Sequence, residues 1–322
     1  MPIALITGIT GQTGSYLAET LLRRGWELHG LIRAEDAAVA ASLPAGATPH
    51  VGDLSEPESL RDIVEAVGPD SVINLAALSS VAQSWKEPLL TARINGLAVA
   101  ALLDVVLRRS ELTGKAISFV QASSAEIFGS PSIAPQNEST PVAPLNPYGA
   151  AKAYAHHLTA VYRALGAAAS SCILYNHESP RRPETFVTRK ITAGVARIEA
   201  GLQDRLTLGD LSVRRDWGWA PDYANAIAEV AAGNQPDNYV IATGESHSIA
   251  EFVAAAFSAI GVTDWESYVT VDPALIRPAD APDLRGDSSR MRERFGWKPT
   301  KTFESIVAAM VEHDRGSVRS PA

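Results

Sequence analysis

The sequence lacks the features that mark membrane-spanning and disulfide-stabilised secreted proteins. Cys172 is the single cysteine among 322 residues, which excludes an intrachain disulfide framework and a cysteine-based metal site. No run of about 18 consecutive apolar residues is present, so we expect no membrane span and no membrane partner. The chain starts without the basic stretch and cleavage site of a secretory signal, so we expect a cytoplasmic protein.

Basic residues are too few for a general nucleic-acid-binding protein. The chain has 28 Lys and Arg against 36 Asp and Glu, a formal net charge of −8. Because nucleic-acid binders normally carry a basic excess, we expect no nucleic-acid partner. A local arginine cluster can still bind a small anion. No histidine or cysteine stands at ligand spacing from His177, so we predict no metal site.

Short apolar runs alternate with amphipathic helical patterns in the first half of the chain. This order predicts a doubly wound parallel sheet with helices on both faces. The predicted strands are 3–6, 27–32, 71–76, 116–121 and 170–174, and the predicted helices are 15–24, 56–67, 89–108 and 147–165.

The second half is less regular and predicts a smaller α/β lobe. Helical periods occur at 186–201, 249–260 and 303–313, and a short strand pattern occurs at 239–241. We therefore expect a dinucleotide-binding domain formed by 1–174 and a returning segment of about 213–242. The substrate domain would comprise 175–212 and 243–322.

A glycine-rich turn directly follows the first predicted strand. Glycines at such a turn allow backbone N–H groups and a helix N-terminus to approach a pyrophosphate. The alternative is a turn that only packs the helix on the sheet. The strand–turn–helix context favours cofactor binding, and the predicted contacts are Gly8, Gly11, Gln12, Thr13 and Gly14.

The G-x-x-G-x-x-G spacing resembles the extended short-chain dehydrogenase/reductase family, which has a Rossmann-type sheet. In that family an acidic residue at the end of the second strand selects NAD. Here Ile32 and Arg33 occupy this region, and Arg33 suits a 2′-phosphate, so we expect NADP. Glu35 and Asp36 lie close by and leave NAD as the alternative. The resemblance also implies cofactor contacts at Asp53, Leu54, Leu75, Ala76 and Ala77.

Tyr148 and Lys152 form a Tyr-x-x-x-Lys pair on a predicted helix. Residues four apart share one helix face. The pKa of a free tyrosine lies near 10 and must fall before the side chain can serve as a base. An adjacent ammonium lowers this pKa. The family resemblance adds Ser124, whose hydroxyl would bind the reacting sugar hydroxyl, and implies that Tyr148 and Lys152 also contact the cofactor.

Glu126 separates the possible activities. Reductases and 4-epimerases need no second base, whereas a sugar 4,6-dehydratase must remove the C5 proton next to a C4 ketone before water leaves C6. Glu126 follows Ser124 by two residues, so both would face one site if the chain stays extended. The alternative is a surface glutamate at a strand end.

Eight stretches together resemble the GDP-mannose 4,6-dehydratases over nearly the whole chain. The most specific runs from Asn176 to Lys190. The others are 8–17, 121–129, 147–152, 215–223, 239–245, 277–278 and 296–299. The resemblance implies conversion of GDP-D-mannose to GDP-4-keto-6-deoxy-D-mannose. The implied catalytic residues are Ser124, Glu126, Tyr148 and Lys152, the implied substrate contacts are Ser79, Asn176, Val187, Lys190, Arg215 and Arg277, and the further cofactor contacts are His177 and Arg182.

Several positions depart from the family pattern. Ser124 replaces a threonine, Thr13 an aspartate and Pro183 a glycine. The segment after Arg33 is shorter and lacks a run that reaches a neighbouring subunit, so we expect a homodimer built on two long helices, with a tetramer as the alternative. A GDP-sugar 4-reductase or epimerase, or an inactive nucleotide-sugar-binding paralogue, is the alternative function.

Overall fold

The computed structural model describes residues 1–34 and 43–319. Glu35 and Asp36 lie outside the described residues. In chain order the first half contains β1 (Ile3–Thr7), α1 (Gln12–Arg23), β2 (Glu27–Ile32), β3 (Ala47–Val51), α2 (Pro57–Val67), β4 (Ser71–Asn74), α3 (Val81–Lys86), α4 (Pro88–Ala92), a π-helical turn (Arg93–Leu97), α5 (Ala98–Thr113), β5 (Ser118–Ser124), a 3₁₀ turn (Ala125–Phe128), α6 (Pro147–Ala164) and β6 (Ala169–Leu174).

The second half has shorter elements. They are β7 (Asn176–Glu178), α7 (Val187–Glu199), β8 (Leu206–Leu208), β9 (Arg214–Arg215), β10 (Trp217–Trp219), α8 (Ala220–Ala232), β11 (Asn238–Ile241), β12 (His247–Ser248), α9 (Ile249–Ser258), β13 (Val269–Val271), β14 (Asp283–Leu284), α10 (Ser289–Phe295) and α11 (Phe303–Arg319), with 3₁₀ turns at Glu266–Tyr268 and Pro273–Leu275.

The described strands of the larger lobe form one seven-stranded sheet in the order β11-β6-β5-β4-β1-β2-β3. Every neighbouring pair is parallel. The order reverses at β1, which pairs with β2 on one side and β4 on the other. The predicted doubly wound parallel sheet is therefore confirmed, and its carboxyl edge has the switch point at which such sheets bind ligands.

Two apolar layers cover this sheet. On one face Leu17 and Leu21 of α1 join Ile227 of α8 in a continuous buried cluster. On the other, residues of α2 and α5 such as Val64 and Leu102 pack against the strands. All four residues of β4 are buried, as expected for a strand with helices on both sides.

A smaller lobe packs around its own core of Trp217, Phe252 and Phe303. It has the pairings β7–β10, β12–β9–β14 and β8–β13. Within the predicted returning segment, β9 and β10 pair with strands of this lobe, whereas β11 joins the large sheet. The exact residues at which the two predicted domains begin and end stay a prediction.

The structure contains elements that were not predicted, among them α8 and α10. Two further departures have a clear physical reason. β3 was not predicted because it is an edge strand with Pro49 and little burial, and so shows no apolar alternation. The helix predicted at 89–108 is interrupted by the π-helical turn. There Asn95 accepts a hydrogen bond from the N–H of Leu78 and donates one to its carbonyl, both at 2.9 Å.

The helical stretch Pro88–Thr113 is long and apolar enough to cross a membrane by length and composition, with a mean hydropathy of 1.7. We expected no membrane span because the sequence has no uninterrupted apolar run of that length. Half of the 18-residue segment that has this mean hydropathy is buried in the structure. It packs against α2 and α6, so this contact with the core accounts for part of its apolar character.

Candidate active site

A cavity of about 1100 Å³ lies along the carboxyl edge of the large sheet and extends to the smaller lobe. Its walls bring together every residue that the sequence predicts for the site. From the cofactor predictions these are Gly8, Gly11, Gln12, Thr13, Gly14, Arg33, Asp53, Leu54, Leu75, Ala76, Ala77, His177 and Arg182; the remainder are Ser79, Ser124, Glu126, Tyr148, Lys152, Asn176, Val187, Lys190, Arg215 and Arg277.

The glycine-rich loop packs tightly against the chain that follows β4. A Cβ at Gly8, whose φ is +70°, would lie 2.8 Å from the Ala76 nitrogen, and one at Gly14 would lie 2.1 Å from the Gly8 oxygen. The glycines thus serve packing as well. The same packing brings the N-terminus of α1 to the cavity wall, with no acidic residue in its first turn. This cradle fits the pyrophosphate of a dinucleotide.

Asp53 and Arg33 also line the cavity. Hydrogen bonds from the backbone and hydroxyl of Ser55, at 2.7 and 2.8 Å, hold the pKa of Asp53 below its usual value, and the charge of Arg33 adds to this effect. Asp53 is therefore an ionised acceptor, suited to a polar group of the dinucleotide.

Ser124 ends β5 and begins the 3₁₀ turn. Its hydroxyl accepts a hydrogen bond from the backbone N–H of Glu126 at 3.2 Å. The chain does not stay extended here, because the serine caps a turn. The turn nevertheless leaves the Ser124 and Glu126 side chains on the same cavity.

Glu126 is held by two neighbours of different kinds. Its Oε2 accepts a hydrogen bond of 2.8 Å from the amide of Asn146, and its Oε1 lies 3.9 Å from the guanidinium of Arg215. Asn146 also caps α6, since its Oδ1 accepts from the Gly149 N–H at 2.8 Å. The carboxylate is thereby fixed relative to the first turn of the helix that carries Tyr148.

Tyr148 and Lys152 are both buried. Burial raises the pKa of Tyr148 to about 12; a hydrogen bond with Ser124 lowers it and the charge of Glu126 raises it. Burial also lowers the pKa of Lys152 to about 8. The Lys152 Nζ lies 5.9 Å from the tyrosine ring centre and donates to the Ala122 carbonyl at 2.8 Å. Burial therefore outweighs the expected effect of the ammonium.

The arginines predicted to hold a diphosphate converge on one carboxylate. Arg215 is buried, donates to the Ala281 carbonyl at 2.8 Å and pairs with Asp280. Arg277 is more exposed and makes a 3.1 Å contact with the other oxygen of Asp280. Lys190 donates to the Thr207 carbonyl at 2.6 Å. The substrate end of the cavity is therefore strongly charged.

His177 is fixed in one neutral form. Its Nδ1 lies 2.8 Å from the Tyr175 carbonyl, so this nitrogen carries the proton, and Nε2 accepts from the Thr13 hydroxyl at 2.7 Å. The ring stacks on Tyr223, with centroids 4.6 Å apart. Burial lowers the pKa of His177 to about 4. Arg182, nearby, lies over the Phe186 ring at 3.7 Å.

Comparison with known proteins decides the family. The profile of the family described as GDP-mannose 4,6 dehydratase matches residues 5–310. The chain belongs to this family. GDP-mannose 4,6 dehydratase 1 of Arabidopsis thaliana is 44% identical over 324 residues, which cover 97% of this chain and 89% of that protein. The Yersinia enterocolitica GDP-mannose 4,6-dehydratase is 40% identical, with coverages of 98% and 94%.

Solved structures agree with membership of this dehydratase family. The UDP-glucose 4-epimerase of Thermus thermophilus, in complex with NAD, has a TM-score of 0.85 at 28% identity, covering 98% of this chain and 99% of that one. RMD from Pseudomonas aeruginosa, complexed with NADPH, has a TM-score of 0.80 at 26% identity, with the same coverages. The GDP-mannose 4,6 dehydratase family therefore shares its fold with enzymes that bind nicotinamide cofactors.

The sequence-based predictions for the site missed Asn146, Asp280 and Ser179. Asn146 has a visible signal, since an asparagine directly before a predicted helix start is a favoured cap. Asp280 stands three residues after Arg277, which is a weaker hint. Ser179 is fully buried and donates to the side chain of Gln12 at 2.8 Å, a contact across 167 positions that sequence spacing does not reveal.

Proposed function

We propose that this chain is a GDP-mannose 4,6-dehydratase, which converts GDP-D-mannose to GDP-4-keto-6-deoxy-D-mannose with loss of water. Family membership over residues 5–310 supports the reaction and the substrate class. The observation that carries the proposal is that Glu126 and Tyr148 line one cavity next to the phosphate-binding loop. A tyrosine alone suits oxidation at C4, whereas elimination from C6 needs the additional carboxylate.

The residues divide this chemistry between them. A nicotinamide cofactor bound along the glycine-rich loop would supply the hydride acceptor for oxidation at C4 and the hydride donor for reduction at C6. Tyr148 removes the O4 proton as C4 is oxidised, and Ser124, which lines the same cavity, orients the sugar hydroxyl. Lys152, with a pKa of about 8, is mostly protonated at neutral pH and stabilises the tyrosinate as it forms.

Glu126 performs the elimination. It takes the C5 proton, which the neighbouring ketone makes acidic, and delivers it to the hydroxyl that leaves C6 as water. Tyr148 then gives the proton that it took from O4 to C5 as C6 receives the hydride. The amide of Asn146 orients the carboxylate, and the guanidinium of Arg215 lies 3.9 Å from its other oxygen. The 3₁₀ turn after Ser124 keeps both side chains against the same sugar ring.

The charged end of the cavity suits the diphosphate and the nucleoside. Arginine matches phosphate oxygens with a forked set of donors. Arg277 is the more accessible of the two arginines and is proposed to bind the diphosphate directly, with Arg215 and Lys190 beside it. Further proposed substrate contacts, which line the same cavity, are Ser79, Asn176 and Val187.

NADP is the proposed cofactor. Ile32 is the last residue of the second strand, where an acid would accept the ribose hydroxyls, and Arg33 lines the cavity beside it. A guanidinium there favours a 2′-phosphate. The dissociation constants of NADP and NAD, measured by fluorescence, test this choice: Arg33→Ala should weaken NADP much more than NAD. Equal loss for both cofactors would contradict the assignment.

A homodimer through α4–α5 and α6 is the proposed assembly. Leu89, Leu97, Tyr154 and Val161 on these adjacent helices are each at least 46% exposed. Such a row of apolar side chains suits burial against a second copy. Light scattering tests it, and Leu97→Glu with Val161→Glu should give monomers. The proposed location is the cytoplasm; Cys172 is free and buried, as is common in reducing compartments.

Mass spectrometry of the product separates the reactions. Purified enzyme with GDP-D-mannose and no added reductant should yield a product lighter by one water. An epimerase would leave the mass unchanged, a reductase would consume NADPH stoichiometrically, and an inactive paralogue would give no product. Glu126→Gln should lower the rate of water loss about 100- to 1000-fold. Dehydration by this variant at the wild-type rate would remove Glu126 from the mechanism.

A further inference from the structure

The phosphate-binding loop and the segment at β7 are connected by side-chain hydrogen bonds across more than 160 sequence positions. The Gln12 amide donates to the His177 carbonyl at 2.9 Å and accepts from the Ser179 hydroxyl at 2.8 Å. The Thr13 hydroxyl donates to the His177 ring at 2.7 Å. We call these four side chains the clamp.

Gln12 is fixed by its two bonds within the clamp, and Ser179 and His177 are oriented by further contacts. Gln12 uses both ends of its amide, so a flip would lose both bonds. Ser179 is completely buried, and its oxygen also accepts from the Arg181 N–H at 3.1 Å. His177 is held by the Tyr175 carbonyl and the Tyr223 ring. The clamp is therefore a preformed arrangement of uncharged groups.

The β7 side of the clamp is anchored from behind. Arg189 of α7 donates to the carbonyls of Pro180 and, at 3.0 Å, Arg182. The same guanidinium pairs with the buried Asp314 of α11, with Nε 2.9 Å from Oδ1. The segment thus cannot swing away from the loop without losing contacts on both sides.

The clamp lies on the route of a dinucleotide. Gln12 and Thr13 begin α1 at the phosphate cradle, and His177 lines the same cavity as Tyr148. Because the proposed reaction returns a hydride to the sugar from which it was taken, the chain must hold its cofactor between the two steps. The role inferred for the clamp therefore rests on the proposed function, whereas its hydrogen bonds are observed independently of the reaction.

We propose that the clamp retains the nicotinamide cofactor through the catalytic cycle, with Ser179 and His177 as positioning residues that hold the phosphate loop closed. Opening the loop breaks buried hydrogen bonds and leaves their partners unsatisfied. Loss of one such bond corresponds to a change in cofactor dissociation rate of about 10- to 100-fold. Wild-type enzyme should accordingly release cofactor slowly and keep it during purification.

The test measures NADPH release without any sugar. Enzyme loaded with NADPH is mixed with excess NADP in a stopped-flow instrument, and nicotinamide fluorescence reports dissociation. Thr13→Val and Ser179→Ala should each accelerate release about 10- to 100-fold. His177→Phe, which keeps the stack on Tyr223, should do the same. Thr13→Ser, which keeps the hydroxyl, should restore the wild-type rate.

Thr159→Val is the matched control. Thr159 is also a buried threonine, but its hydroxyl donates within its own helix to the Ala155 carbonyl at 2.8 Å. This variant reports the effect of losing a buried hydroxyl elsewhere and should release NADPH at the wild-type rate. Thermal unfolding of all variants is recorded in parallel, so that faster release without matching destabilisation identifies the clamp.

The outcomes separate the two proposals. If Thr13→Val and Ser179→Ala release NADPH at the wild-type rate, or if Thr159→Val accelerates release as much, the clamp proposal is wrong whatever the enzyme does to sugars. If the wild-type enzyme does not dehydrate GDP-D-mannose, the proposed function fails, while the dissociation rates still decide whether the clamp holds the cofactor. Should His177→Phe fold poorly, Thr13→Val and Ser179→Ala decide alone.

Discussion

The cavity has two contrasting parts: an uncharged end at the phosphate-binding loop, which excludes the adjoining Arg33 and Asp53, and a charged end next to β9. Next to β1 the walls are backbone, glycines and neutral side chains such as Gln12 and His177. Next to β9 the carboxylates of Glu126 and Asp280 stand against the guanidinium of Arg215, which is 3.9 Å from Glu126. The first end is shaped by close packing, whereas the second is shaped by charges that neutralise one another.

This difference predicts how each end responds to mutation. At the uncharged end an added atom has no space, so small changes should act through strain. At the charged end a removed partner leaves an unpaired charge, and the penalty depends on burial. Arg215 and Arg277 illustrate this, because they share Asp280 but only Arg215 is buried.

Gly14→Ala should break the uncharged end and have the largest effect. The new Cβ would lie 2.1 Å from the Gly8 oxygen and 2.7 Å from the Ile9 Cα, so the loop backbone must move. We expect cofactor affinity to fall about 100-fold or more, in line with overpacking strain. Isothermal titration with NADP measures it. Gly316→Ala, where a Cβ meets open space, is the control; normal affinity in Gly14→Ala would show that the loop adapts.

Replacing Arg277 and Arg215 separately with methionine should show how these two arginines of the charged end differ. Arg277→Met should raise the KM for GDP-D-mannose about 10- to 100-fold with little change in kcat, because an accessible phosphate donor is lost. Arg215→Met should lower kcat and the melting temperature as well, since Asp280 then loses its buried partner. Steady-state kinetics and thermal unfolding distinguish the two, and identical effects would contradict the distinction.

Asn146→Ser should have a smaller effect at the junction of the two ends. Serine still caps α6, but it removes the amide that donates to Glu126 at 2.8 Å. We expect kcat to fall about tenfold through loss of a hydrogen bond to a charged group. The melting temperature should change little. An unchanged kcat, measured under substrate saturation, would mean that the amide does not orient the carboxylate.

His156→Leu should leave turnover at neutral pH unchanged and alter only the pH dependence of stability. Burial lowers the pKa of His156 to about 4. As the pH falls from about 6.5 to 4 the unfolded chain binds a proton that the folded chain does not, so stability is lost in this window. The loss is at most roughly 3 kcal/mol. Urea unfolding at several pH values should show a shallower decline for the variant; an equal decline would assign the effect to other groups.

The uncharged end was the easier one to predict from sequence. The glycine loop, β1 and the start of α1 are contiguous in the chain, so spacing alone indicates their arrangement. Tyr148 and Lys152 are likewise related by helical geometry. These contacts are local, and local preferences are what a single sequence reports most directly.

The charged end and the clamp depend on segments that meet only in the folded chain. The pairing of Arg215 with Asp280, and of Ser179 with Gln12, joins residues 65 and 167 positions apart. The high pKa of Tyr148 also could not be predicted, because it follows from burial by the surrounding structure. The turn at Ser124 was missed since a serine suits both an extended strand and a cap.

The π-helical turn at Arg93–Leu97 determines how this protein responds to single-residue deletions in this region. A π-turn carries one residue more than an α-helix needs for the same span. Deleting one of these five positions would let α4 and α5 fuse into a regular rod, and would rotate Leu89 and Leu90 by about 100° about its axis. Asn95 would then leave Leu78. Single-residue deletions here should therefore disturb both the outer surface and the active-site wall.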